Sequence, residues 1–476
     1  MTKKSKTFRD FGLDALLVAP TSRKRTCPIW VINPDRPEAG LGGLNKTQKQ
    51  WLKASAWKAS PGQHMLIPDA SGAIAGVLCC QDSVNGSAFA ALGLGALPRA
   101  LPPGDYHFSD GTVTDPRSAA VGWLLGAYRF SRYLSEEERP VPRLKIARDV
   151  ERKTVLAIAN GIYFGRDLIN TPANDMNPED LEAAAKGLAA VHGAEVKVVR
   201  GDDLIAQNYP MLHAVGRASA CPPRLIDLSW GRKRAPQITL VGKGICFDTG
   251  GLNIKPGASM VLMKKDMGGA AAVLALGSMI MQAKLAVKLR ILIPAAENSI
   301  SGDAFRPGDI LQSRNGMTVE IGNTDAEGRL VLGDALTCAD EEKPDYIISM
   351  ATLTGAARIA LGPDLPPFYT DNDALADEIA GAGIKAGDPL WRMPFWRPYD
   401  ALLKSKVADV NHISSGPFAG SITAALFLKR FVKQAHHYAH FDIYGWTPTT
   451  DGFRVEGGEP QGARALFAWS SEKFGC

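Results

Sequence analysis

Asn323-Thr-Asp-Ala-Glu-Gly-Arg-Leu330 sets two acids and an arginine into a turn-forming frame that ordinary core packing does not need. Upstream, Val241-Gly-Lys-Gly-Ile-Cys-Phe-Asp-Thr-Gly-Gly251 runs an apolar strand into a glycine turn carrying Lys243 and Asp248, and Met263-Lys-Lys-Asp-Met-Gly-Gly269 adds Asp266. Carboxylates held close together raise one another's pKa and cost stability, so a bound cation is the usual resolution if Asp248, Asp266, Asp325 and Glu327 share a cleft. No histidine lies between His213 and His412, which excludes a helical H-E-x-x-H zinc site from this segment. The donors on offer are hard oxygens that suit Mg²⁺, Mn²⁺ or Zn²⁺, and four acids are enough to bridge two ions about 3.5–4 Å apart. A two-metal hydrolase is the chemistry this pattern predicts.

Taken singly, an acid beside a glycine reads as a solvated turn. The joint pattern reads differently because Lys243 sits inside Ile238–Phe247, a run with the character of a strand buried on both faces, where an unpaired ammonium is expensive. Such a lysine is expected to lose its proton readily and offer a lone pair to a metal. Val241-Gly-Lys-Gly is not a phosphate loop, since the Walker spacing and the following Ser/Thr are both missing.

These motifs resemble the leucyl aminopeptidase family of two-metal exopeptidases, whose signature Asn323–Leu330 matches without a substitution. Arg166-Asp-Leu-Ile-Asn-Thr-Pro-Ala-Asn-Asp-Met176, Ala351-Thr-Leu-Thr-Gly-Ala356, Lys404-Ser-Lys-Val-Ala-Asp409 and Ser414-Ser-Gly-Pro-Phe-Ala-Gly420 look like family blocks in family order, over roughly the C-terminal two-thirds of the chain. The resemblance implies one metal on Lys243, Asp248, Asp266 and Glu327 and another on Asp248, Asp325 and Glu327, with the Asp325 carbonyl as a further ligand. It also implies that Lys255 is the catalytic lysine, that Arg329 holds a bicarbonate acting as general base, and that Met263, Thr352, Leu353 and Gly355 line the pocket for the first substrate residue. Cys246 and Thr249 stand where relatives often carry other small residues, and neither is a ligand. Relatives form hexamers, so a homo-hexamer is implied as well.

With 476 residues the chain exceeds what one hydrophobic core usually organises, and its net charge of +5 is too modest to indicate nucleic acid by itself. Seven scattered cysteines suggest a reducing compartment without a disulfide framework. Asp14 and Pro20 interrupt the only candidate signal core after the charged segment 1–10, and Gly268–Ala283 is shorter than the roughly 20 residues needed to span a bilayer. A cytoplasmic protein with no membrane partner is expected.

Something must position these groups, and the rest of the sequence predicts an α/β architecture in two parts. Residues 1–148 read as a smaller, divergent N-terminal α/β domain with strands near Ala15–Val18 and Gly76–Cys79, and Ser135-Glu-Glu-Glu-Arg-Pro140 marks a boundary. Residues 149–476 read as the catalytic domain, entered through a bridging helix over Ala147–Asn170 that Thr171-Pro172 stops. Strands at Glu195–Val199, Ile238–Phe247, Val287–Ile293, Tyr346–Ser349 and Tyr438–Ile443 alternate with helices such as Gly268–Ala283 and Leu330–Glu341. That alternation predicts a mostly parallel central sheet flanked by helices, with Asp248, Asp325 and Thr352 at or just past strand ends, where such sheets bind ligands.

The predicted reaction is removal of the N-terminal residue, preferably leucine or another apolar one, from peptides and aminoacyl amides. Two other classes use the same parts: a phosphoesterase, with Lys255 and Arg329 on phosphate, and a DNA-binding architectural protein, a role some bacterial relatives have. His436 and His440, four apart, read as strand residues rather than ligands, Met260, Met263 and Met267 as flexible core filling with Met263 also a pocket candidate, and Arg23-Lys-Arg25 as a solvated loop.

Overall fold

Short apolar runs divided by Gly, Pro and Ser build a six-stranded sheet from Leu17–Val18 (β1), Cys27–Ile32 (β2), His64–Pro68 (β3), Ile74–Cys80 (β4), Asp105–Phe108 (β5) and Arg143–Lys145 (β6), in the order β1-β6-β5-β2-β4-β3. The computed structural model describes residues 11–33, 41–81, 87–135 and 140–475. The charged segment 1–10 and most of the proposed boundary patch, residues 136–139, lie outside them. Of the expected strand at Ala15–Val18, the first two residues end a 3₁₀ turn, Leu13–Leu16, and the last two form β1, because only Leu17 and Val18 find partners, on Leu144 and Lys145.

Helix α1 (Pro116–Gly126) packs this sheet against helix α2 (Arg152–Asn170), which begins five residues later than its apolar spacing suggests. The chain turns first, since Ile146 N–H still bonds Val18 O beside β6 and Val150 N–H bonds Ala147 O. From α2, Tyr163 Oη donates to Leu124 O (2.7 Å) and Arg166, fully buried, donates to Leu125 O (2.7 Å) while pairing with Glu459. One apolar cluster runs from Trp123 and Leu124 through Ile162 and Phe164 to Leu274 and Met279, so the two sheets share a continuous core.

The main sheet comprises Glu195–Arg200 (β7), Arg224–Gly231 (β8), Gln237–Gly242 (β9), Gly244–Asp248 (β10), Lys288–Asn298 (β11), Tyr346–Ala351 (β14), Pro367–Tyr369 (β15), Trp391–Met393 (β16) and His437–Asp442 (β18). Its order is β16-β15-β18-β14-β9-β11-β8-β7, with β10 also on β11; β18, β14, β9 and β11 run parallel at the centre, β15 on β18, β8 on β11 and β7 on β8 are antiparallel, and the edge strand β16 is parallel to β15. Ile310–Gln312 (β12), Thr318–Glu320 (β13) and Val410–Asn411 (β17) form a small separate sheet. Helix α3 (Pro178–His192) covers one flank, and α4 (Gly268–Ala283) is buried over nearly its whole length. With the preceding turn, Met263–Ala283 is long and apolar enough to cross a membrane, but 89 % of that window is buried inside the protein, which marks a core helix.

The run Ile238–Phe247, read as one strand, is two. Gly242 packs so closely under the start of α4 that a Cβ would lie 2.5 Å from Val273, and the backbone of Lys243 is used there, donating to Met350 O and accepting from Ala270 N–H. After that step β10 continues on β11 alone, which turns Lys243 and Asp248 toward the C-terminal edge of the sheet.

Candidate metal centre

Lys243 and Asp248 lie at or just past the C-terminal ends of central strands, and the other proposed ligands come in on turns beyond them. Lys243 occupies the step between β9 and β10, and Asp248 ends β10. Asp266 belongs to the 3₁₀ turn Met263–Met267 that leads into α4, while Asp325 sits in the turn Thr324–Ala326 and Glu327 opens helix α5 (Glu327–Asp340). The Asn323 side chain accepts Asp325 N–H (2.8 Å), the turn chemistry that the sequence frame implies. Thr324 Oγ1 donates to Gly250 O (2.7 Å) and accepts Asn253 N–H (2.8 Å), tying this turn to the loop after β10. Gly250 enters that loop with φ 87°, and a Cβ there would lie 2.5 Å from Asn253 O, so only glycine fits.

Asp248, Asp325 and Glu327 can each offer an oxygen within 4.8 Å of the others. Lys243 Nζ lies 2.7 Å from Asp266 Oδ2, 2.9 Å from Glu327 Oε1 and 3.0 Å from Thr352 O. Lys255 Nζ lies 2.8 Å from Asp248 Oδ2 and also pairs with Asp325. Asp248 Oδ1 accepts from Gly250 N–H and from Asn298 Nδ2, both at 2.8 Å, and Thr352 Oγ1 donates to Asp266 Oδ1 at 2.6 Å.

Burial first, and then the Asp248 charge, push Glu327 up to about 8 and Asp325 up to about 6. Lys243 corrects the expectation that burial would strip its proton: burial does pull its pKa down, but the Asp266, Glu327 and Asp248 charges outweigh it and hold the ammonium protonated. Only neutralisation of those carboxylates would free its lone pair. Buried Asp266 Oδ2, Asp325 Oδ1 and Glu327 Oε1 reach an ammonium at ion-pair distance without an aligned hydrogen bond. Under-satisfied hard oxygens with an amine among them are a donor set that fits divalent cations.

Arg329, two residues further along α5, donates to His412 O (2.6 Å), and its buried Nε has no partner among the described residues. Burial lowers it to about 10. A buried guanidinium with a spare donor fits a small oxyanion. Leu353 is held through its N–H by Asp442 Oδ1 (3.1 Å), whereas half-buried Met263 and exposed Gly355, at the start of helix α6 (Gly355–Leu361), stand outside the hydrogen-bonded network.

Several supporting residues escape a reading of the sequence alone. Asn298 ends β11, fully buried, and donates to both Asp248 Oδ1 and Thr324 O; a rule placing ligands at strand ends could have found it. His412 faces Asn323 O with Nε2 (3.0 Å) and Gly322 N–H with Nδ1 (3.2 Å), and burial lowers it to about 3, so it is neutral. Asp442, 2 % exposed, takes donors from Leu353 N, Thr354 N, Thr354 Oγ1 and Ser421 Oγ. Lys265, also buried, is pulled down to about 8, by burial first and then by the Lys243, Arg358 and Lys255 charges against the opposing pull of Asp266. His436 and His440 share no site: His440 is buried beside Ser349 Oγ, and His436 is exposed near Asp345.

Residues 163–467 match the profile described as the cytosol aminopeptidase family, catalytic domain, and residues 27–146 match the N-terminal domain of M17 aminopeptidases. A probable cytosol aminopeptidase of Roseiflexus castenholzii is 42 % identical over 359 residues, 72 % of this chain and 73 % of that one. The crystal structure of cytosol aminopeptidase from Coxiella burnetii superposes with a TM-score of 0.91 at 43 % identity, covering 97 % of this chain and all of the other. The bottromycin maturation enzyme BotP, solved in complex with Mn, superposes with a TM-score of 0.84 at 31 % identity, over 96 % of this chain and 99 % of its own.

Proposed function

The chain belongs to the cytosol aminopeptidase family and is a metal-dependent aminopeptidase, and from that premise we propose that it releases the N-terminal residue, preferably leucine or another apolar one, from peptides and aminoacyl amides. The observation that carries this reading is the group of buried Asp248 and Glu327 with half-buried Asp325, with Lys243 and Lys255 pressed into it and carboxylate oxygens left without aligned donors. Lys243, Asp248, Asp266 and Glu327 would hold one divalent ion and Asp248, Asp325 and Glu327 the other, with Mn²⁺, Zn²⁺ or Mg²⁺ as candidates.

Bound ions supply Lewis-acid polarisation of the scissile carbonyl and lower the pKa of water. The chain's own groups set the rest. Lys255, on a loop held by Thr324 and Asn253, would turn its ammonium to the developing oxyanion, a charge it meets only in the transition state. Arg329 would use its spare Nε to keep bicarbonate, a weak base, within proton-transfer reach. Thr352 both fixes Asp266 and presents its carbonyl to Lys243, so the pocket wall formed with Met263, Leu353 and Gly355 is braced on the ligands themselves. Apolar, adaptable Met263 beside an open glycine suits aliphatic side chains of several sizes.

We further propose a division at residues 148 and 149, a homo-hexamer in solution, and a cytoplasmic location, the last supported by the naming of relatives as cytosolic enzymes. The decisive assay strips the purified protein with a chelator, reloads it with each ion, and compares leucyl amide with N-acetyl-leucyl amide. Metal-dependent cleavage of the free amine alone is expected. Equal cleavage of the blocked substrate would sink the exopeptidase reading.

A further inference from the structure

Lys265 has no part in the chemistry proposed above, and its surroundings are unusual for a lysine. It is 6 % exposed, and among the described residues its ammonium makes no ion pair or hydrogen bond; the contact it does make is with the Tyr444 ring, Nζ lying 5.0 Å from the centroid. The adjacent carboxylate makes no ion pair with it, because Asp266 gives Oδ2 to Lys243 and Oδ1 to Thr352. A buried ammonium without an anion is costly, and an aromatic face offsets only part of that cost.

Its position says where an anion would come from. The turn Met263–Met267 that carries Lys265 also carries Met263, and α6, which begins at Gly355, brings Arg358 to 4.8 Å from the same Tyr444 ring. Arg358 likewise has no acidic partner among the described residues. Tyr444 therefore lies against both elements that border the pocket for the first residue, and each contributes a cation that no carboxylate of the described residues pairs with. The backbone that carries the ring is held by Tyr444 N–H and Gly445 N–H, which both donate to Gln461 Oε1 at 3.0 Å.

We propose that Lys265 is a specificity-determining residue that receives the side-chain carboxylate of an acidic N-terminal residue, with Arg358 adding to the same field, so that the enzyme releases glutamate and aspartate as well as apolar residues. The inference rests on the aminopeptidase reading and names a substrate class within it. The apolar pocket walls take the methylenes, and the ammonium takes the charge, a pairing that is strong because the site is dry.

Glutamyl and glutaminyl amides differ in charge at nearly equal shape, so the ratio of their kcat/KM values isolates the ammonium. With metal-loaded protein the glutamyl amide should be cleaved at least as well as the glutaminyl amide, and Lys265→Met should lower that ratio by roughly tenfold to a hundredfold, whatever happens to the absolute rates. Lys265→Gln, a polar replacement, provides a second variant with the same expected fall. A parent enzyme that clearly prefers the glutaminyl amide, or a ratio unchanged in both variants, would overturn the inference while leaving the exopeptidase reading intact. Failure of the loaded parent on leucyl, glutamyl and glutaminyl amides alike would overturn both.

Discussion

Gly328 is the space in which Lys243 lies: a Cβ at that position would stand 2.4 Å from Lys243 Cε and 2.7 Å from its Nζ. The glycine between Glu327 and Arg329 is thus required by a side chain eighty-odd residues upstream rather than by its own backbone. Alanine there favours a helix by up to about 1 kcal/mol, so Gly328→Ala should fold. It should also push the ammonium off Asp266 and Glu327. The expected outcome is loss of bound metal and of at least roughly a hundredfold in activity, a size typical of displaced catalytic geometry. Elemental analysis beside a thermal melt checks it, and full metal content in the variant would refute it.

The two lysines of the centre should fail differently. Lys243→Ala removes the group shared by Asp266 and Glu327 and should weaken metal retention. Lys255→Ala should leave the metals in place and lower kcat by about 10²–10³, the usual cost of a lost oxyanion donor. Equal metal loss in both variants would undo this division of roles.

His412 acts on the loop before Asp325. His412→Ala removes the ring contacts to Asn323 O and Gly322 N–H while leaving the carbonyl that holds Arg329. A loss of about 2 kcal/mol in urea unfolding is expected for such unsatisfied backbone groups. Activity should fall with it, since the loop sets Asp325, and His412→Asn should recover part of both. If alanine lowers neither, the ring is incidental.

Outside the centre, Glu182 of α3 gathers Lys186, Arg200 of β7 and Arg224 of β8. Burial would raise its pKa, but hydrogen bonds from Arg200, Lys186 and Arg224 outweigh this and bring it down to about 2 from 4.5. A depressed carboxyl contributes its full stability above the unfolded value and loses it as pH falls through the folded one. Glu182→Gln should therefore cost about 1–3 kcal/mol at pH 7, less than a fully buried pair, since Arg224 is buried with it while Lys186 and Arg200 are about half exposed. The gap to the parent should close between pH 4.5 and about 2. Urea midpoints across that range provide the check, and a constant gap would assign the effect to packing.

The central elements were legible because their signals are local. The apolar runs at 195, 287, 346 and 438 and the acids at strand ends follow from period and turn chemistry, and Gly268–Ala283 begins and ends where its composition says. The step at Lys243 was not, since it depends on how tightly α4 presses on Gly242. Nor was the late start of α2, which the pairing of β6 delays. Lys265 reads in sequence as half of an ordinary Lys-Lys pair, and His412 and Asp442 act on loops that lie about ninety residues earlier in the chain. Contacts of that range leave no periodicity to read.

Asp442 closes β18, the last strand of the main sheet in chain order, and its carboxylate fastens the Leu353–Thr354 loop whose neighbour Thr352 braces Asp266 and Lys243. A growing chain that has passed Thr354 already carries every proposed ligand, yet it lacks this fastening until nearly ninety further residues have been made. The brace on the proposed ligands is in this way completed only after the last strand of the main sheet has been made.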